Sequence, residues 1–425
     1  MLATKYIRES QESETLLIHE VSRLKANSGE KIFRFGFGQS PFLPPKQVSD
    51  ALSSASLHKE YVSVQGLEEL REAVATFHNH YDGLSVKSDN VLVAPGSKIL
   101  IYAMLTAFDQ ADVMFVTPSW VSYEPQAKIA KLNRIRIRTS FESRWRLTPE
   151  LLEEACAQRV NKDQPAILIL NYPGNPDGLT YTESELKALA DTFRKHNVLV
   201  ISDEIYGLLN HDGNHTSLAT YYPEGTIVTS GLSKWCGAGG WRLGIALLPE
   251  TLPTAFKQSV IGIASETYSC APVPVQYAGI QAYQISDEIE SYLKHKRRVL
   301  SIAANYMYES LSAVNVKLHK PEGGFYLNPD FSNFRDRFKD KGINTNEAMC
   351  EAILNETSVV ILPGSAFGYL PEDLTARIAY VDFNGAEAMA ASKEIGLEKE
   401  LDQAFLETYC PKIVEGTTRL ADWLR

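Results

Sequence analysis

Short runs of strand-forming residues alternate with helical patterns between residues 90 and 250, and this alternation constrains the fold more than any other feature of the chain. Several runs are apolar without interruption, as expected for strands that are covered on both faces of a parallel sheet. The pattern predicts an α/β fold with a mostly parallel, doubly wound sheet. The predicted strands cover residues 91–94, 113–116, 135–138, 166–170, 198–202, 226–229 and 244–248.

The helix between the fourth and fifth of these strands has a clear start signal. Thr182 and Glu185 have the spacing of a capping box, in which each side chain bonds the backbone of the other residue. The apolar residues that follow recur at helical spacing. They are Leu186, Leu189, Ala190 and Phe193.

The pattern changes after a long helical tract at about residues 275–312. Short predicted strands among helices indicate a smaller α+β domain there. We therefore expect a large domain at residues 46–312, and a second unit made of an N-terminal arm, 1–45, and a small C-terminal domain, 313–425. The predicted strands of the smaller domain cover residues 316–318, 324–327, 358–362 and 377–382.

The charge and cysteine content exclude several classes of partner. A formal net charge of −10 repels nucleic acid and acidic membranes. The one dense basic run, 294–298, is interpreted as a solvated helix face rather than a targeting signal. Five cysteines without metal-ligand spacing predict reduced thiols and no metal site. With no apolar run of signal-peptide or membrane-span type, we expect a cytoplasmic protein.

Reactive side chains follow the predicted strands at the points where the strands end. In an open α/β sheet, ligands bind beyond the carboxyl ends of the strands, so we expect these side chains to share one crevice. They comprise a helix-opening turn, an aromatic ring, an amide, a carboxylate, a phenol and an amine. In chain order they are Gly96 with Ser97 and Lys98, Trp120, Asn175, Asp203, Tyr206, and Ser233 with Lys234.

This set of side chains fits a phosphorylated pyridine aldehyde, pyridoxal 5'-phosphate. Lys234 supplies an amine for an imine, and Asp203 supplies a carboxylate that keeps the ring nitrogen protonated so that the ring accepts electrons. Asn175 and Tyr206 would donate to the phenolate oxygen, and Trp120 would stack on the ring. The turn at residues 96–97 opens a helix predicted to begin near residue 99, and its N–H groups suit a phosphate.

The order of these motifs resembles that of the fold-type I, class I/II aminotransferases of the aspartate aminotransferase type. The resemblance extends over most of the chain, and its motifs are Gly36-Phe37-Gly38, Tyr61 to Gly66, Asn175-Pro176, Asp203-x-x-Tyr206, Ser233-Lys234 with Arg242 eight residues on, and Arg377 within residues 376–379.

The resemblance implies a role for each motif. Lys234 would hold the cofactor as a Schiff base and then move the substrate proton, with Asp203 and Tyr206 as its catalytic partners. Arg242 would bind the phosphate together with the 96–97 turn. Arg377, a planar fork of donors, would clamp the substrate carboxylate. The other residues implied at the substrate are Gly38, Lys98 and Asn175.

Two further features concern the cofactor phosphate. The resemblance implies that Tyr61 reaches the phosphate in the neighbouring subunit, which makes the enzyme a homodimer with shared active sites. Members of the family often carry a serine three residues before the lysine, where this chain has Gly231. Ser97, Ser233 or another donor would then replace that serine.

The substrate is predicted from Lys98. In one subgroup of aspartate aminotransferases a Gly-x-Lys turn offers its lysine to the distal carboxylate of the substrate, and residues 96–98 are similar. The expected reaction moves an amino group between a dicarboxylic amino acid, such as aspartate or glutamate, and a 2-oxo acid such as 2-oxoglutarate. An aromatic or broad-range aminotransferase and a non-transaminating lyase of the same fold remain alternatives. A cofactor-sensing regulator would need a DNA-binding domain, for which the chain has no spare length.

Overall fold

The structure is a computed structural model that describes residue 27 and residues 29–425. The first part of the predicted N-terminal arm, residues 1–26 and 28, lies outside the described residues. The described strands, numbered in chain order, are β1 Phe33–Arg34, β2 Val91–Ala94, β3 Asp112–Thr117, β4 Asn133–Arg138, β5 Ala166–Asn171, β6 Val198–Asp203, β7 Thr226–Gly231, β8 Gly244–Leu247, β9 Tyr326–Leu327, β10 Val359–Val360, β11 Leu362–Pro363 and β12 Ala376–Ala379.

Helices connect and cover these strands. Within the described ranges, no helix is both long enough and apolar enough to cross a membrane. The helices are α1 Lys46–Ser54, α2 Glu68–Tyr81, α3 Ser97–Thr106, α4 Tyr123–Ile129, α5 Pro149–Ala157, α6 Glu183–His196, α7 Thr254–Thr267, α8 Val273–Ala282, α9 Asp287–Ser312, α10 Arg335–Asp340, α11 Asn346–Thr357, α12 Gly385–Ile395, α13 Gln403–Tyr409 and α14 Pro411–Leu424.

The predicted mostly parallel sheet is confirmed. In the part of the chain that the structure describes, it has seven strands in the order β2-β8-β7-β6-β5-β3-β4. Strands β3 to β7 pair in parallel, whereas β8 runs antiparallel to its neighbours β7 and β2. Each predicted strand of this region overlaps an observed one, and the largest difference is two residues, at the start of β4 and at the end of β7.

The unbroken apolar runs are explained by burial on both faces of the sheet. Along β3, Val113 and Phe115 pack into one apolar cluster, and Met114 and Val116 pack into a second cluster on the opposite face. Because successive strand residues point to opposite faces, a strand covered on both sides needs apolar residues at every position. The sheet is therefore the middle layer, and its strand ends are where polar side chains can meet a ligand.

The predicted capping box at the start of α6 is present. The Thr182 hydroxyl accepts from the Glu185 N–H at 3.3 Å, and the Glu185 carboxylate accepts from the Thr182 N–H at 2.7 Å. The helix ends at Asn197, which adopts a left-handed conformation. The crossover between β5 and β6 is thus fixed at both ends by its own sequence.

The smaller sheets differ from prediction in several places. Strands β11, β12 and β9 form an antiparallel sheet, and β1 pairs with β10 in parallel. The predicted strand 358–362 is two strands, because β10 and β11 pair with different partners. The predicted strand at 316–318 is wrong: only Lys317 forms a bridge, to Asp330, before the chain turns toward a bond from Glu322 N to Gly178 O. The domain boundaries at residues 46 and 313 stay a prediction.

The predicted helical tract is present, and it consists of two helices, α8 and α9. Ser286 caps the second helix by accepting from the Ile289 N–H. One expectation about this tract is corrected. The basic run 294–298 is not a solvated face, because His295 and Lys296 are 5% and 0% exposed. Five consecutive residues extend around more than one turn of a helix and cannot all share a face.

Candidate active site

The predicted site residues gather around one cavity of about 520 Å³ at the carboxyl ends of the parallel strands. Strand ends, the start of α3 and the segment after β1 all contribute to its wall. The predicted residues that line it are Gly38, Ser97, Lys98, Trp120, Asn175, Asp203, Tyr206, Ser233, Lys234, Arg242 and Arg377.

Lys234 lies at the centre of this cavity on the turn that follows β7. Its Nζ donates to the Gly38 carbonyl oxygen at 2.9 Å and lies 5.6 Å and 5.5 Å from the ring centroids of Tyr206 and Phe325. Burial lowers the pKa of the amine, and the Arg377 charge acts in the same direction. A larger fraction of the amine is therefore neutral, and nucleophilic, than at the surface.

Asp203 is the last residue of β6 and is buried. Its carboxylate accepts from the Tyr123 hydroxyl at 2.6 Å and from the Thr229 hydroxyl at 3.2 Å. Burial raises the pKa of Asp203 to about 6, against the opposing effect of these hydrogen bonds. A cation placed beside it would favour the ionised form.

Tyr206 lies three residues after Asp203 in the chain, and its hydroxyl is close to a second phenol, that of Tyr326. The Tyr206 and Tyr326 hydroxyl oxygens are 3.0 Å apart, and both rings are buried. Burial raises the pKa of Tyr206 well above its usual value, and the neighbouring phenol acts in the same direction. Tyr206 is therefore a neutral hydrogen-bond donor at physiological pH.

Arg377 projects from β12 and is 1% exposed. Its Nη1 donates to Asn175 Oδ1 at 3.1 Å and its Nη2 donates to the Gly36 carbonyl at 2.6 Å, whereas the buried Nε has no partner within the described residues. The guanidinium also lies over the Tyr326 ring, 4.5 Å from its centroid. A buried cation without a carboxylate partner is costly, and an anionic ligand would offset that cost.

The turn before α3 and Arg242 form the predicted phosphate end of the cavity. Arg242 donates to the carbonyls of Gly239 and Pro95 at 2.9 and 3.2 Å. Gly96 has a φ of +97°, and a Cβ there would collide with the guanidinium of Arg242. The close approach of this turn to the arginine therefore requires glycine.

The surroundings of position 231 explain why it holds glycine and not the serine that members of the family often carry there. A Cβ at this position would lie 2.5 Å from the Leu243 carbonyl oxygen and 2.8 Å from the Gly244 Cα, so no larger residue fits. Ser97 and Ser233, the two serines predicted to replace that serine, both line the cavity, as does Ser122.

Lys98 and Trp120 form the side of the cavity nearest the start of α4. The Lys98 Nζ lies 5.0 Å from the Trp120 ring centroid. Burial lowers the pKa of Lys98, and the Arg242 charge adds to that effect. The Ser119 N–H donates to the Phe367 carbonyl at 3.1 Å, which ties the tryptophan loop to the small sheet region.

Two predicted residues do not line this cavity. Gly96 lies behind Arg242, which does line it. Tyr61 is 88% exposed and does not line the wall. Other cavity residues were missed by the sequence analysis. Tyr123 begins α4 three residues after Trp120 and could have been found there, and Phe37 belongs to the 36–38 motif, whereas Tyr326 and Gln39 carry no motif. Gly239 and Gly240 also line the wall, next to Arg242.

The fold and the cavity define a class. The profile of the family Aminotransferase class I and II matches residues 30–389, and the chain belongs to that family. It is a pyridoxal-phosphate-dependent aminotransferase with a fold-type I architecture.

Particular relatives support this assignment. The aspartate aminotransferase of Geobacillus stearothermophilus is 32% identical over 89% of this chain and 94% of its own length. The asparagine–oxo-acid transaminase of Streptococcus mutans is 31% identical over the same shares of the two chains. Among solved structures, the aspartate aminotransferase from Rhizobium meliloti is 25% identical, with a TM-score of 0.81 over 100% of this chain and 99% of that one.

Proposed function

We propose that this aminotransferase acts on amino acids with a second carboxylate, such as aspartate or glutamate, with a 2-oxo acid such as 2-oxoglutarate as amino acceptor. The observation that carries the proposal is a pair of cations, Arg377 and Lys98, on one cavity. Neither forms an ion pair within the residues that the structure describes. Two carboxylates of one substrate would match two such cations.

The cavity also fits the cofactor of the family. Lys234 offers a partly buried amine, Asp203 a buried carboxylate, and the turn at Gly96 fits against Arg242 with no room for a side chain. When bound, pyridoxal phosphate supplies an electron sink for charge that develops at the substrate Cα. We assign its phosphate to Arg242, Ser97 and Ser233.

The protein residues then divide the remaining work. Asp203, held by Tyr123 and Thr229, keeps a negative charge where the ring nitrogen needs a proton. Tyr206, a neutral phenol, donates to the phenolate oxygen, and Asn175 assists on the same side. Trp120 supplies the stacking face.

Lys234 is the proposed base. An amine whose pKa burial has lowered is a better proton acceptor near neutral pH than an ordinary lysine, because more of it is unprotonated. The hydrogen bond from Lys234 Nζ to the Gly38 carbonyl holds the amine in one position. Arg377 orients the substrate by its carboxylate, with Asn175 and Gly36 fixing the guanidinium plane.

The substrate proposal is tested by Lys98→Met, which removes the charge and keeps the stem beside Trp120. We expect kcat/KM for aspartate and glutamate to fall about 10- to 100-fold, the value of a charge-assisted hydrogen bond. Alanine, asparagine and phenylalanine should change by less than about threefold. Lys187→Met, a surface lysine on α6 close to Glu183, is the matched control. Equal losses for alanine and aspartate would reject the proposal.

We further propose that the enzyme is a homodimer whose active sites are shared. The support is Tyr61, an aromatic residue that is almost fully exposed and stands away from the cavity of its own chain. Leu57, on the same stretch of chain, is also 88% exposed. In the proposal, Tyr61 reaches the phosphate end of the partner's cavity.

A further inference from the structure

Lys296, in the middle of α9, is a buried lysine that the proposed reaction does not use. It is 0% exposed. Its Nζ donates to Ser40 Oγ at 2.8 Å and to the main-chain carbonyls of Lys234 and Trp235 at 2.9 and 2.8 Å. The Tyr292 hydroxyl is a fourth and more distant partner, at 3.3 Å. An ammonium group has three N–H donors, so the three nearer acceptors are enough to satisfy it.

The charge of Lys296 is not balanced by an acidic side chain among the described residues. Its Nζ forms no ion pair with an acidic side chain anywhere in residues 29–425, and it lies 5.1 and 5.3 Å from the ring centroids of Phe42 and Tyr292. Burial lowers the pKa of Lys296 to about 7, with the Cys236 thiol opposing and the Lys234 charge adding to that effect. An apolar residue would avoid this desolvation cost, so packing alone does not account for a lysine here.

The two segments that Lys296 joins both touch the active site. One is the turn at residues 233–236, which carries Lys234. The other is segment 36–42, whose Gly38 carbonyl accepts from the Lys234 amine and whose Gly36 carbonyl accepts from Arg377. The segments are also in close contact at Gly237, where a Cβ would collide with the Phe42 carbonyl.

We propose that Lys296 is a positioning residue for Lys234. By joining the Lys234 and Trp235 carbonyls to Ser40, it fixes the main chain of the lysine relative to the segment that receives the lysine amine. The same segment also accepts a hydrogen bond from Arg377. The position of the Lys234 amine is therefore fixed relative to the guanidinium that binds the carboxylate. The inference rests on the proposed role of Lys234.

The test replaces Lys296 with methionine, which is unbranched and of similar length but has no donor. We expect kcat to fall about tenfold or more, because a small displacement of a reacting group is costly. KM for the amino acid should change less than about threefold, since Arg377 keeps its own contacts. Lys294→Met, two residues away on α9 and half exposed near Glu290, is the matched control.

A second readout does not depend on activity. The cofactor-free full-length protein is labelled with trace acetic anhydride, and the rate at Lys234 is measured by peptide mass spectrometry against its surface lysines. In the wild-type protein the amine is partly buried and donates to the Gly38 carbonyl, so labelling should be slower than at the surface lysines. In Lys296→Met it should be faster, on the order of several-fold, because the segment covering the amine is no longer joined to the turn.

Ser40→Ala cuts only the link to segment 36–42 and leaves the bonds to the turn. It should change kcat and the labelling rate in the same directions by smaller amounts, and it decides the question if Lys296→Met does not fold. Wild-type kcat and labelling in the variant that folds would overturn the inference. A lower melting temperature with unchanged kcat per bound cofactor would also overturn it, because Lys296 would then only stabilise the fold.

Failure of the proposed function is a separate result. If Lys234 does not hold the cofactor, borohydride reduction of the wild-type protein will attach the pyridoxyl group to another residue. That outcome is read on the wild-type protein, before any variant is compared.

Discussion

The carboxylate of Asp203 illustrates how a single buried group couples stability to chemistry. The protein raises the pKa of this group to about 6 by burying it, although two hydroxyls donate to it. A buried negative charge is unfavourable until a cation faces it. A protonated ring nitrogen would be that cation, so the residue is costly in the cofactor-free protein and useful in the loaded one.

This leads to a prediction about pH and stability. The folded cofactor-free protein holds the Asp203 proton more tightly than the unfolded chain does, so this group lowers stability as pH rises from about 4 to about 6. The shift corresponds to roughly 3 kcal/mol. Asp203→Asn mimics the protonated form and should remove this part of the pH dependence. The check is the melting temperature of both cofactor-free proteins between pH 4.5 and 7.5. A constant difference between the two would contradict the prediction.

Arg377 carries a second prediction at the residue scale. Arg377→Lys replaces a planar fork with a point charge, which cannot bind a carboxylate through two parallel hydrogen bonds. KM should rise about tenfold or more for every amino acid substrate, whatever its side chain. Steady-state kinetics with aspartate and alanine measure this, and a rise confined to aspartate would assign Arg377 to the distal carboxylate instead.

At the scale of elements, the start of α3 is set by the contact between Gly96 and Arg242. Gly96→Ala would force the two apart, because a Cβ meets the guanidinium. We expect weaker binding of pyridoxal phosphate, with a Kd raised about tenfold or more, as for a lost hydrogen bond to a charged group. Gly83→Ala is the matched control, since Gly83 also has positive φ, +65°, but nothing lies within 4 Å of its Cβ. Equal cofactor affinity in both variants would contradict the role of this contact.

Some of the strands and helices could be predicted from the sequence alone, and others could not. The strands of the large sheet were predictable because β3, β5 and β6 are covered on both faces, which leaves unbroken apolar runs. The predicted strand at 316–318 is wrong, because pairing of a short segment depends on a distant partner, and here only Lys317 pairs, with Asp330. The helical pattern of the sequence likewise did not reveal the break between α8 and α9.

The residues of the candidate site likewise divide into those that the sequence predicts and those that it does not. Residues that follow strand ends, such as Asp203 and Lys234, were predictable because the fold brings strand ends together. Tyr326, which lines the cavity, and Lys296, which contacts the turn that carries Lys234, were not predictable, because packing brings each there from another part of the chain. A lysine in a basic run of a helix is expected to be exposed. Lys296 is buried because the turn at 233–236 packs against it.

At the scale of the whole molecule, the shared-site proposal makes a quantitative prediction. Inactive Lys234→Ala chains are refolded together with Tyr61→Ala chains. If Tyr61 acts across the interface, a hybrid dimer has both lesions in one site and an intact second site. Random mixing then restores about a quarter of all sites, given two-fold symmetry. If activity stays at the average of the two parents, Tyr61 serves its own chain and the shared-site proposal fails.

The central claim is that Lys234 holds the cofactor, and the position of the reduced cofactor tests it most directly. The protein loaded with pyridoxal phosphate is treated with borohydride, digested and mapped by mass spectrometry. We expect one pyridoxyl group, on Lys234, together with loss of the visible absorption, and no stable label or turnover in Lys234→Ala. A label on Lys98 or Lys296, or wild-type transamination by Lys234→Ala, would contradict it.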